Sequence, residues 1–195
     1  MIGYYLTHPQ VAIDPRVPVP DWGLSDVGRA RLTAIAGRDW VRSLGHVFAS
    51  TEKKAIEGAK IIATAASCRV ETAEEMGEND RSATGFLPPP EFEKAADWFF
   101  ANPSQSFHGW ETAEAAQARI VSAVEAAIAR SSHDRTVAFV GHGGVGTLLK
   151  CHLGGLPISR TRDQPGGGGN IFAFGLSDRR LLCDWTPVEI FEGKF

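Results

Sequence analysis

The sequence predicts a three-layer α/β/α sandwich built on a mostly parallel central sheet. Short β-prone apolar runs at residues 2–6, 47–49 and 136–140 each lead through a loop into a stretch whose apolar residues have helical spacing. Such alternation marks β-α units, whose crossover helices cover both faces of a parallel sheet. The 195 residues, 43% hydrophobic and 22% charged, suit an ordinary globular protein and are expected to form a single domain over residues 1–195. In that architecture ligands bind beyond the carboxyl ends of the strands.

The first strand is Ile2 to Leu6, where an apolar and aromatic run gives way to polar Thr7 and His8. Pro15, Pro18 and Pro20 keep residues 14–22 extended until Ser25, which can cap a helix running to about Gly37. Val47 to Ala49 forms a second short strand. Ser50 is then expected to cap a helix carrying Ala55, Ile56, Ala59, Ile62 and Ala63 on one face. Arg69 to Thr72 reads as a third strand, and residues 77–90, rich in Gly, Pro, Asn and Asp, as a long exposed and mobile loop.

Two amphipathic helices follow, about Glu91 to Ala101 and Thr112 to Arg130; the second presents Ala113, Ala116, Ile120, Val124 and Ala127 along one side. Thr136 to Val140 is a strand entering Gly141-His142-Gly143-Gly144, with a helix behind it over Val145 to Leu153. After the flexible run Pro165 to Gly169, Asn170–Leu176 and Arg180–Trp185 are expected to pair as a hairpin turning at Ser177-Asp178.

Composition excludes several classes of function. Twenty Lys and Arg against 23 Asp and Glu give a net charge of -3, so no global field favours nucleic acid or anionic membranes. Cys68, Cys151 and Cys183 form neither a disulfide framework nor a zinc motif, which suits a reducing compartment. The N-terminus lacks the basic and apolar regions of a signal peptide, and no apolar run is long enough to cross a membrane. A cytoplasmic protein without membrane or nucleic-acid partners is expected.

Lone histidines are usually structural, and His46, His108, His133 and His152 are read that way. His8 and His142 differ because each follows a strand, where this fold class converges side chains on one crevice. Lys53 and Lys54 lie in the first turn of a helix, against its dipole, a placement that a bound anion would relieve.

These residues resemble the histidine phosphatase superfamily, the phosphoglycerate-mutase-like fold. Leu6-Thr7-His8-Pro9 is similar to Leu-x-Arg-His-Gly, with Thr7 in place of arginine and Pro9 in place of glycine. Residues 22–28 resemble the Pro-Leu-Thr-x-x-Gly helix start, and residues 49–55 the Ser-Ser-Pro-x-x-Arg-Ala segment, with Lys54 for its arginine. Met76-Gly77-Glu78 is similar to Leu-x-Glu, residues 109–112 to Gly-Glu-Ser, and Val140-Gly141-His142-Gly143-Gly144 to Val-x-His-Gly-Gly. The order of the six segments carries the resemblance, which runs from Ile2 to about Phe174.

The resemblance implies a phosphomonoester phosphatase without cofactor or metal, acting on a small phosphorylated molecule or a phosphoprotein. It assigns His8 as nucleophile through a phosphohistidine, His142 as donor to phosphoryl oxygens, and Glu78 as acid and base, with Asp80 a competitor. Thr7, Ser50, Lys54 and Gly143 would face phosphate, and Arg16 or Arg81 would compensate for the two replaced arginines, whose planar forks neither lysine nor threonine reproduces. A non-catalytic module that binds a phosphorylated ligand or protein is the alternative. The glycines of residues 141–146 also satisfy Gly-x-Gly-x-x-Gly, but the acidic residue that a dinucleotide site places at a second strand end falls, as Asp163, in a loop.

Overall fold

The structure is a computed structural model and describes residues 1–131 and 135–195; His133 lies outside them. The strands are β1 (Ile2–Thr7), β2 (Leu44–Ser50), β3 (Arg69–Ala73), β4 (Thr136–Gly141), β5 (Asn170–Gly175) and β6 (Leu181–Pro187). They form one sheet in the order β3-β2-β4-β1-β5-β6, parallel from β3 through β1, with β5 and β6 antiparallel. Alternate residues of the central strands face opposite sides. Tyr5, Phe48 and Phe139 enter one core with α4 (Pro89–Ala101), α5 (Ala113–Arg130) and α6 (Gly143–Leu153). Tyr4, Leu6, Val47 and Ala49 enter another with α1 (Asp26–Ile35), α2 (Asp39–Arg42) and α3 (Lys53–Ala66). The expected α/β/α sandwich is therefore present. No helix among the described residues is long and apolar enough to cross a membrane.

Parallel register sets the site. Leu6 lies opposite Val140 and Thr7 opposite Gly141, while Ala49 on β2 also pairs with Val140. His8 and His142 thus leave neighbouring strands at one level, beside Ser50 at the end of β2. The His8 amide continues the ladder by donating to the Gly141 carbonyl at 2.9 Å.

Local chemistry explains both agreements and departures. The Ser25 hydroxyl accepts from the Gly28 amide as the cap of α1, and Thr112 caps α5 through the Ala115 amide. Ser50 is not the cap of α3: Glu52 holds that position, because Ser50 is still in the strand and its hydroxyl faces His142. The loop expected over residues 77–90 is shorter, since Pro89 occupies the first helical position, where a missing amide hydrogen is harmless. Asn79 within it is buried. His46 is buried on β2, whereas His108 and His152 are exposed.

Candidate functional site

The two strand-end histidines converge. Their ring centroids lie 5.3 Å apart, with the planes crossed at 71°. The Nδ1 of His8 is 2.9 Å from the Pro9 carbonyl, which can only accept, so the proton belongs on Nδ1 and Nε2 carries a lone pair. Burial, followed by the nearby His142 and Lys54, pushes the His8 pKa down to about 3. Its imidazole is neutral at any physiological pH.

His142 begins α6 and is fixed from two sides. The Tyr5 hydroxyl accepts from its amide and donates to its carbonyl, both at 3.2 Å. That hydroxyl fits because residue 141 is glycine: a Cβ there would stand 2.4 Å from the Tyr5 oxygen. Across the ring, His142 Nε2 meets the Ser50 hydroxyl at 2.7 Å and a Glu52 oxygen at 3.2 Å. Nδ1 is buried and has no partner among the described residues. Burial lowers the His142 pKa against the pull of Glu52 and Glu78.

Glu78 reaches the start of α6. Its carboxylate accepts from the Gly144 amide at 3.0 Å and the Val145 amide at 2.9 Å. Burial opposes its charge, but Arg81, His142 and these two amides prevail and lower its pKa. Its segment is tied to α5 by hydrogen bonds. Arg119 on α5 forks onto Glu111 at 2.9 and 2.7 Å, and also bonds the carbonyls of Glu75, Gly77 and Glu78. Asp80, exposed, accepts instead from the Ser82 amide.

The cations fall in unequal places. Lys54 is buried, with one N–H on the Val19 carbonyl at 2.9 Å and an ion pair to Glu52. Burial raises the Glu52 pKa less than His142 and Lys54 lower it, so the carboxyl is held at about 2. Arg81 lines the cleft, its guanidinium 4.9 Å from the Phe92 ring and 5.8 Å from Trp110. Arg16 is not brought to the site: it is exposed and forked onto Asp14 in its own loop. Thr7 is buried with its hydroxyl directed to Gln164 and Asn170. Gly143 borders a cleft of about 300 Å³, which also exposes His8, Glu78, Asn79, Arg160 and Gln164. A shallower depression of about 460 Å³ between α1 and α3, lined by Thr33, Lys60 and Ile61, shares none of these residues.

A family model for the histidine phosphatase superfamily (branch 1) matches residues 15–182. The chain belongs to the histidine phosphatase superfamily. Solved members show the same fold at low identity. A mycobacterial glucosyl-3-phosphoglycerate phosphatase in complex with inorganic phosphate superposes with a TM-score of 0.79 at 19% identity, covering 97% of this chain and 99% of that one. The Entamoeba histolytica phosphoserine phosphatase in complex with 3-phosphoglyceric acid gives 0.76 at 14%, covering 97% and 99%. Bacillus stearothermophilus YhfR gives 0.75 at 19%, covering 92% and 93%. No curated protein matches the sequence significantly.

The match to the histidine phosphatase superfamily begins after His8, so the Thr7-His8-Pro9 segment takes its place from strand register and not from the family model. Several residues at the site carry no signal in the sequence. Glu52 became visible only when the end of β2 was set beside His142. Asn79 and Gln164 are amides in loops, with nothing in their neighbours to mark them. Arg119 is one arginine of an amphipathic helix, and only its position under the Glu78 segment gives it a role.

Proposed function

We propose that this member of the superfamily is a phosphomonoester phosphatase acting through a phosphohistidine. The observation that carries the reading is His8, neutral, with Nδ1 tied to Pro9 and Nε2 unprotonated, facing His142 at 5.3 Å. The Nε2 lone pair attacks phosphorus, the bond from phosphorus to the ester oxygen breaks, and the leaving oxygen takes a proton. Water then attacks the phosphohistidine, gives up a proton, and releases inorganic phosphate with His8 restored.

Glu78 handles both protons in this reading. It rests as a carboxylate, suited to accepting the proton of the attacking water. An arriving phosphoryl dianion raises its proton affinity, which lets it carry a proton to the leaving oxygen first. The unpartnered Nδ1 of His142 is the group that meets phosphoryl charge once protonated. Arg81 supplies a guanidinium, and Ser50 orients the His142 ring. Lys54 enters with two of its three donors already bonded, so its help to an anion is mainly long-range charge.

A second reading, binding of a phosphorylated ligand or protein without turnover, is favoured by one feature: Glu52 neutralises Lys54 where the resemblance places an arginine. Hydrolysis of a chromogenic aryl phosphate, measured with a chelator present, separates the two. Turnover that falls by at least about a thousandfold in His8→Ala supports the phosphatase. Phosphate binding with no turnover in the wild type supports the binding module, and turnover that persists in His8→Ala overturns the nucleophile.

A further inference from the structure

Thr7 stands where the resemblance expects an arginine fork, and the space beside it is not left empty. The Thr7 hydroxyl accepts from the Asn170 amide at 3.0 Å and donates to Gln164 Oε1 at 2.6 Å. The Asn170 side-chain nitrogen donates to the same Oε1 at 3.0 Å and to the Pro165 carbonyl at 3.0 Å. Two donors on Oε1 leave no ambiguity in the Gln164 amide: the carbonyl faces β1 and β5, so the NH2 faces the other way.

That NH2 lies against the start of α6. A Cβ built on Gly143 would be 2.2 Å from Gln164 Nε2, so glycine at this position makes room for the amide. Gln164 and Gly143 both border the cleft that exposes His8. Among the described residues, no group accepts from Gln164 Nε2 or from the Gly143 amide. The Asn79 side-chain nitrogen, buried and equally unpartnered, borders the same cleft, and His142 Nδ1 is a further buried atom without a partner. Asn79 Nδ2 and His142 Nδ1 are thus buried donors or acceptors without a partner among the described residues, which is unusual, because buried polar groups nearly always find partners. Gln164 Nε2 and the Gly143 amide are half-buried and open to the cleft.

Resting on the phosphatase reading for its ligand, we infer that Gln164 is a phosphoryl-binding residue, its side-chain NH2 donating to a non-bridging oxygen in place of the missing arginine. Thr7 and Asn170 are its positioning residues. The subsite is uncharged. An amide contributes one directed hydrogen bond where an arginine contributes a charge and two, so inorganic phosphate is held by geometry at this point.

The test is competitive inhibition by inorganic phosphate, with kcat and KM followed beside it. Gln164→Met keeps the volume and removes both the donor and the anchor. Gln164→Glu keeps an oxygen for Thr7 and Asn170 and places a charge where the NH2 was. The expected result is a phosphate inhibition constant raised about three- to tenfold in the first variant and more in the second. KM should rise in step and kcat should change less, a split that a general loss of structure would not produce. In 15N-labelled wild-type protein, the Gln164 side-chain amide signals should also shift on adding phosphate. Unshifted signals, or an unchanged inhibition constant in folded Gln164→Met, would overturn the assignment while leaving hydrolysis by His8 intact. If the wild type binds phosphate through Gln164 but turns nothing over, the subsite stands and the phosphatase reading fails.

Discussion

At the scale of single residues, the site depends on side chains that hold other side chains. Arg119 is the clearest case. Its guanidinium gathers three carbonyls of residues 75–78 and locks onto Glu111, whose own backbone amide bonds Asp80. Arg119→Met should leave the core packed yet loosen the Glu78 carboxylate from the amides of α6. The expected outcome is a fall in kcat of roughly tenfold to a hundredfold, the scale of losing a charge-assisted bond of about 1.5–3 kcal/mol. Hydrogen exchange read by mass spectrometry should quicken over residues 75–82; unchanged exchange there would mean that Arg119 is not the anchor.

His8 and His142 were legible in the sequence because a strand end is a place as well as a pattern, and two such ends imply one crevice. Arg16 was misplaced for a complementary reason. A loop arginine is drawn by the nearest carboxylate, and Asp14 lies two residues away. Gln164 was invisible because the direction of an amide depends on Thr7 and Asn170 together, and 157 residues separate it from Thr7.

At the scale of elements, the contact between β1 and α6 is a tight constraint. Gly146, on α6, packs so closely that a Cβ would lie 2.4 Å from the Tyr5 ring. Gly146→Ala gains about 1 kcal/mol of helix propensity. Overpacking costs about 1–3 kcal/mol, so the net effect runs from neutral to a loss of about 2 kcal/mol. Because Tyr5 also holds both backbone groups of His142, activity should fall further than stability, and urea unfolding paired with kinetics would show it. A stable, fully active variant would mean that this interface yields. The helix starts at Ser25 and Thr112 could be read in advance, since capping is a local signal. The four-residue α2 could not, being too short for any periodicity, and the antiparallel pairing of β5 with β1 depends on distant partners that no window reveals.

At the scale of the whole molecule, the site sets the acid limit of folding. His8, His142 and His46 all have pKa values lowered by burial, so the unfolded chain takes up protons that the native state refuses. Their share of stability is complete above the ordinary histidine pKa of about 6.5 and is lost as pH falls below it toward the folded values. Glu52 and Glu78, also lowered, extend the loss below about 4.5, while Asp163, raised by burial, opposes it in part. Urea midpoints should therefore drop steadily from pH 7 to pH 4, and the His8 ring signals should not titrate near 6.5. A midpoint that holds constant over that range would contradict the buried, neutral histidines.

The strand order has a temporal consequence. β1 is made first, yet its two neighbours in the sheet are β4, beginning at Thr136, and β5, beginning at Asn170. A chain emerging from the ribosome cannot close the centre of its sheet until most of it has been synthesised, and such distant pairings fold slowly. His8 must wait for His142 to meet it from β4, and Thr7 for Asn170 and Gln164 to reach it from the other side. During translation His8 emerges long before the residues that surround it, and the segments that bring His142 and Gln164 are made only in the last third of the chain.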